Sequence, residues 1–198
     1  MEQRGATLGS RQDRPVPVGV KVKAKIQRGE EYFRIPIPCT LEVTVLDVVR
    51  GDQCSDRLKA DGVVPEAHKD EREYCLVHLR LGYSSSARGT NPPPPYVLET
   101  AQLKAASADG QLLYDAPYLE KQPQAHLTGL TLNIGETKEG WVVLEVPQAE
   151  KQPLLAFYQC MENGREGANR SALTAPLWFK LYRFDPAQIE CSGVECRI

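Results

Sequence analysis

The sequence predicts an all-β chain, folded as an immunoglobulin-like antiparallel β-sandwich of about seven to nine strands. Three observations predict it. Runs with apolar residues at every second position recur between residues 18 and 184, which is the period of a strand with one buried face. Fifteen glycines and fifteen prolines punctuate the 198 residues, so turn signals separate the runs at short intervals. No segment shows a convincing apolar stripe at helical spacing.

Residues 1–17 are polar, contain Gly5, Gly9, Pro15 and Pro17, and lack a periodic pattern, so they read as a disordered leader or tether. Val20, Val22, Ala24 and Ile26 then alternate with Lys21, Lys23 and Lys25. The lysines suit an edge strand, where charge discourages pairing with another molecule. From Cys39 to Arg50 the apolar phase runs through Leu41, Val43 and Val45, shifts at Leu46-Asp47 and resumes at Val48. Such a shift within one strand predicts a β-bulge.

Residues 51–73 read as a charged loop that ends in Glu66-Ala-His-Lys-Asp-Glu-Arg-Glu73, either solvated or forming one short helical turn. Tyr74 to Tyr83 resumes alternation, with Cys75, Val77, Leu79 and Leu81 inward and His78 and Arg80 outward. Pro92 to Pro95 make a rigid surface loop with polyproline character. Val97–Ala105 and Gln111–Tyr114 flank Asp109-Gly110, a hairpin signal. Leu130–Ile134, Gly140–Val146, Leu154–Cys160 and Pro176–Phe184 complete the strands. The expected organisation is a leader over 1–17, one sandwich over 18–184 and a cysteine-containing tail over 185–198.

Composition narrows the partners. With 24 basic and 26 acidic residues the net charge is -2, which offers no field for nucleic acid or an anionic membrane. No run approaches the roughly 18 apolar residues of a membrane span. The start Met-Glu-Gln-Arg-Gly has no apolar signal core, which taken alone reads as cytosolic. The cysteines argue the other way. Cys39, Cys54, Cys75, Cys160, Cys191 and Cys196 are an even, dispersed set, better suited to disulfides in an oxidising compartment than to a metal cluster. The expected location is therefore extracellular or the cell envelope, with any signal or lipid anchor cut away.

The pieces in order resemble a known family. They are Val43-Thr-Val-Leu-Asp-Val48, Leu76-Val-His-Leu-Arg-Leu81, the Asp109-Gly110 hairpin, Ile134-Gly-Glu-Thr-Lys-Glu-Gly-Trp141 leading into Val142-Val-Leu-Glu-Val-Pro147, and Leu154-Leu-Ala-Phe-Tyr158. The chain resembles the immunoglobulin-like domain of unknown function found in bacterial cell-surface lipoproteins and secreted antigens. That resemblance implies a secreted or lipid-anchored envelope protein; it supplies no activity and no site residues. The six cysteines, the 51–73 segment and the tail depart from the family pattern.

Motifs for chemistry are sparse. His68, His78 and His126 are isolated, and none has a second ligand at metal spacing. Cys191 and Cys196 suit a local disulfide around Gly193. The serines at 84–86 lack a nucleophile elbow, and no cysteine has a neighbouring histidine. Asp70 and Glu71, and Glu136 and Glu139, lie in polar turns where solvated charge is the default. Asn169-Arg-Ser171 fits a glycosylation sequon.

If every connection reverses direction, Cys54, Cys75 and Cys160 gather at one pole, with Cys39 and the start of the tail at the other. Cys54 with Cys75 is then the leading disulfide. Closing its loop of ~20 residues would stabilise the fold by about 3 kcal/mol.

The functional expectation is a non-enzymatic module without cofactor, binding a protein or polysaccharide partner. Tyr96 and Tyr118 are the candidate aromatic anchors. The competing expectations are a metal-binding protein or enzyme with a site built from the 51–73 loop, His78, His126 and the tail, and a structural spacer.

Overall fold

A computed structural model describes residues 8–29, 36–63, 71–86, 92–159 and 175–183. Its elements run β1 (Lys21–Gly29), β2 (Pro36–Arg50), α1 (Gly51–Ala60), β3 (Arg72–Ser85), β4 (Tyr96–Val97), β5 (Leu103–Ala106), β6 (Leu113–Asp115), β7 (Thr131–Leu132), β8 (Thr137–Pro147), β9 (Leu154–Phe157) and β10 (Leu177–Lys180). A 3-10 turn, Thr100–Gln102, leads into β5.

Two four-stranded antiparallel sheets, ordered β1-β2-β3-β8 and β10-β9-β5-β6, carry a small third sheet of β4 with β7. The chain is an all-β sandwich. Its core holds Leu41, Val43 and Val45 of β2, Cys75, Val77, Leu79, Leu81 and Tyr83 of β3, and Leu155, Phe157 and Phe179 of the second sheet. Each strand of the first sheet contributes every second side chain, because successive residues point to opposite faces.

The expected bulge is present. Val45 pairs with Leu79 and Asp47 with His78, so Leu46 is the extra residue between them. This keeps Val48 on the core side, opposite Val77. Lysine-bearing β1 lies at the sheet edge, with Lys21 and Lys23 both paired to Glu42 of β2.

Four expectations are corrected. Residues 51–60 form α1 rather than a loop. Only Cys54 and Leu58 on it are buried, and two apolar residues one turn apart make too sparse a stripe to recognise. Asp52 in the first turn and Arg57 and Lys59 in the last complement the helix dipole.

Residues 8–17, expected within the disordered leader, dock on β10. Val16 is buried and forms a parallel bridge with Phe179, and the Val16 and Trp178 amides donate to Trp178 and Gly9 carbonyls, each at 2.8 Å. One buried valine among polar neighbours leaves no periodic signal.

The long strand expected over Val97–Ala105 is interrupted by the 3-10 turn. Buried Gln102 holds that turn: its side-chain oxygen accepts from the Glu99 amide at 2.7 Å, and its amide group donates to the Tyr96 hydroxyl and the Tyr158 carbonyl.

The strand expected over Leu130–Ile134 is reduced to β7. It pairs with β4 rather than with β8 across the intervening turn. Gly135, at φ +85°, lets that turn adopt a left-handed backbone, and its amide donates to the Tyr83 carbonyl. The tail over 185–198, with Cys160, Cys191, Cys196, His68 and Asn169, lies outside the described residues.

Candidate functional site

The first sheet brings His78 and His126 to either side of Trp141. Beyond the bulge, Asp47 of β2, His78 of β3 and Trp141 of β8 form one cross-strand row, since Asp47 is opposite His78 and His78 is opposite Trp141. The segment 125–127 continues it. Trp141 donates its amide to the Ala125 carbonyl at 2.8 Å and accepts from the Leu127 amide at 3.0 Å, which places His126 beyond Trp141 from His78. Gly140 permits this approach, because a Cβ there would collide with the Ala125 carbonyl oxygen.

Helix α1 covers the end of this face. Cys54, Leu58, Val63, Tyr74, Leu76, Trp141 and Val143 form one buried cluster beneath it. The Arg57 guanidinium sits 3.8 Å from the centre of the Trp141 ring, and the His78 imidazole stacks on the same indole at 4.5 Å. Partial burial is the main cause that holds the His78 pKa below its ordinary value. Arg57 and Arg80 act in the same direction, against Glu139 and Asp47.

The competing expectation of a site at His78 and His126 meets this arrangement at Trp141. An indole stands between His78 and His126, and both are engaged with Trp141 by stacking or backbone bridging. Among the described residues, no group of three or more His, Cys, Asp or Glu side chains could hold a metal ion. Trp141 of this row packs against α1.

Among the described residues, Cys54 and Cys75 lie toward one end of β2 and Cys39 toward the other. Cys75 lies opposite Arg50 at one end of β2, whereas Cys39 lies opposite Ser85 near the other. The expected bond between Cys54 and Cys75 is absent, and Cys39, Cys54 and Cys75 are free thiols. Cys75 points into the core between the sheets, while Cys54 packs with Leu76 on the outer face beneath α1. Adjacent strand residues point to opposite faces, so the sheet itself separates the two sulfurs.

Burial pushes the Cys54 thiol up to about 12 and raises that of Cys75 further, so both stay protonated and poorly nucleophilic at neutral pH. Cys39 lies 3.3 Å from the Tyr83 hydroxyl, which donates to the Pro94 carbonyl at 3.0 Å.

The two candidate anchors separate sharply. Tyr96 is 1% exposed, packed against Tyr83 with its hydroxyl bonded by Gln102, and it is no contact residue. Of the prolines before it, Pro93 is buried while Pro92 and Pro95 stay exposed. Tyr118 is 89% exposed.

Sequence reasoning missed Leu112 and Leu113, which are 60% and 44% exposed. They fall in the strand expected over Gln111–Tyr114, and nothing in composition reports that β6 is an outermost strand. Of the six large apolar side chains exposed among the described residues, three fall at 112–118. The stretch 107–120 carries Asp109, Asp115 and Glu120 and no basic residue.

No protein-family model matches the chain, and no curated protein matches it. It is similar to the 1.5 Å crystal structure of MPT63, a secreted protein from Mycobacterium tuberculosis, with a TM-score of 0.46 and 13% sequence identity over 84% of this chain and 97% of that one. The sandwich rests on the strand pairing above. No helix among the described residues is long and apolar enough to cross a membrane.

Proposed function

We propose that this chain is a non-enzymatic, immunoglobulin-like binding module of an exported protein, which takes a protein or polysaccharide partner on the surface formed by Leu112, Leu113 and Tyr118. The observation that carries this reading is the concentration of three exposed apolar side chains within seven residues at one side of the sandwich. Single exposed apolar residues are ordinary, whereas three close together in sequence, one of them aromatic, suit a contact surface.

The remaining chemistry supports binding over catalysis. The described histidine row is filled by an indole, and the two most buried thiols are held protonated. Export rests on the resemblance, with a lipid anchor ahead of the domain as the route to a membrane.

The test uses immobilised wild-type protein and the variant Leu112→Ser/Leu113→Ser/Tyr118→Ser, both offered the same extracellular protein fraction and a panel of polysaccharides. Saturable binding to wild type and its loss in the folded triple variant is expected. Equal binding by both proteins contradicts the proposal.

A further inference from the structure

The two four-stranded sheets have four outer edges, and three are occupied or guarded. The edge of β8 is covered by 125–127, the edge of β10 by 9–16, and the edge of β1 carries Lys21, Lys23 and Lys25. The fourth edge, β6, has no neighbouring strand among the described residues beyond β5.

Its backbone register defines what it offers. Ser107 donates its amide to the Leu112 carbonyl at 3.0 Å, which makes 107 and 112 a hydrogen-bonded pair. Bonded pairs alternate in an antiparallel ladder, so the next is Ala105 with Tyr114. Leu112 and Tyr114 therefore spend their backbone groups on β5, and Leu113 and Asp115 direct theirs outward. Two N–H donors and two C=O acceptors line the edge, beside the exposed Leu112 and Leu113 side chains.

Charge narrows the occupant. The stretch 107–120 holds three carboxylates and no basic side chain, and Asp115 remains largely exposed although Lys104 of β5 contacts it at 2.6 Å. We infer that β6 accepts, as a fifth strand, an extended segment of a separate protein whose side chains alternate apolar and basic. Its backbone pairs with Leu113 and Asp115, its apolar residues extend the face that carries Leu112 and core-packed Tyr114, and its basic residues extend the opposite face, which carries Asp115. This rests on the binding surface proposed above and specifies the chemistry of its partner. Pro117 ends the pairing, since proline lacks an amide proton.

The experiment uses an acetylated and amidated Val-Lys-Val-Lys-Val-Lys peptide, an N-methylated version that cannot pair as a strand, and a Val-Glu version. The parent peptide is expected to bind and to slow amide exchange at Leu113 and Asp115. N-methylation or replacement of lysine by glutamate is expected to weaken binding roughly tenfold or more. Added salt is expected to weaken the parent alone.

Absence of binding, equal binding of the N-methylated peptide, or unchanged exchange at both amides overturns strand addition. If the N-methylated peptide binds as well as the parent, and both are lost with Leu112→Ser/Leu113→Ser/Tyr118→Ser, the apolar surface stands without strand addition. Parent binding that is unaffected by that variant removes both. Concentration-dependent association of the protein alone in sedimentation, competing with the peptide, would assign the edge to a second copy of this chain and overturn the proposed partner.

Discussion

His78 and Trp141 face each other across β3 and β8, with ring centroids 4.5 Å apart and planes 10° from parallel. Because burial against the indole disfavours the charged imidazole, the folded protein takes up this proton at a lower pH than the unfolded chain does. The unfolded chain therefore binds more protons between the ordinary value of 6.5 and the lower folded one. Stability is full above that window and is lost as pH falls through it. His78→Phe keeps a flat ring and removes the titration. Urea midpoints for wild type should fall between neutral and mildly acidic pH by more than those of the variant, and parallel curves would refute this role.

Trp141 is the surface on which α1 rests. Trp141→Ala removes a buried indole together with the contact to Arg57, at an expected cost of about 3–5 kcal/mol. Since Cys54 lies on the buried face of that helix, the variant should also release it to an aqueous thiol reagent under native conditions. Wild-type Cys54, fully buried and with its pKa raised, should resist that reagent. After unfolding without reductant, Cys39, Cys54 and Cys75 should all be labelled, as expected of free thiols. Labelling of Cys54 and Cys75 only after reduction would contradict the separation of their sulfurs by the sheet.

Gly140 is required because a backbone carbonyl crosses it. Gly140→Ala should push the 125–127 segment away from β8 and destabilise the protein by about 1–3 kcal/mol. Amide exchange provides the specific readout. The Trp141 and Leu127 amides, which bond across this contact, should lose protection while the β2–β3 ladder keeps it. Unchanged exchange at these two amides would show that the segment does not depend on the missing side chain.

Much of the first sheet was legible because its signals are local. The alternation of β3 assigned Cys75, Val77, Leu79 and Leu81 inward and His78 outward, and the phase shift at Leu46 marked the bulge. Lysine alternation marked β1 as an edge. Features set by distant contacts were hidden. Helix α1 is held by two buried side chains, Val16 by a bridge to a strand more than 160 residues away, and Tyr96 by a hydrogen bond from Gln102.

The candidate site was half legible for the same reason. The sequence offers Tyr96 and Tyr118 on equal terms and only packing separates them, whereas Leu112 and Leu113 lie in an expected strand whose outermost place is set by the sheet order. The proposed pairing of Cys54 with Cys75 failed because closeness along the fold does not report which face of a sheet each sulfur occupies.

The most direct measurement of the binding claim places a photo-reactive side chain at position 118 in one protein and at exposed Lys59 of α1 in another. Both are irradiated in the same extracellular protein and polysaccharide mixture. The account predicts a saturable adduct from position 118 that unlabelled wild type competes away and the serine variant does not, with none from position 59. Equal adducts at both positions, or a competed adduct only at 59, would contradict the claim that the 112–118 surface is where this module binds.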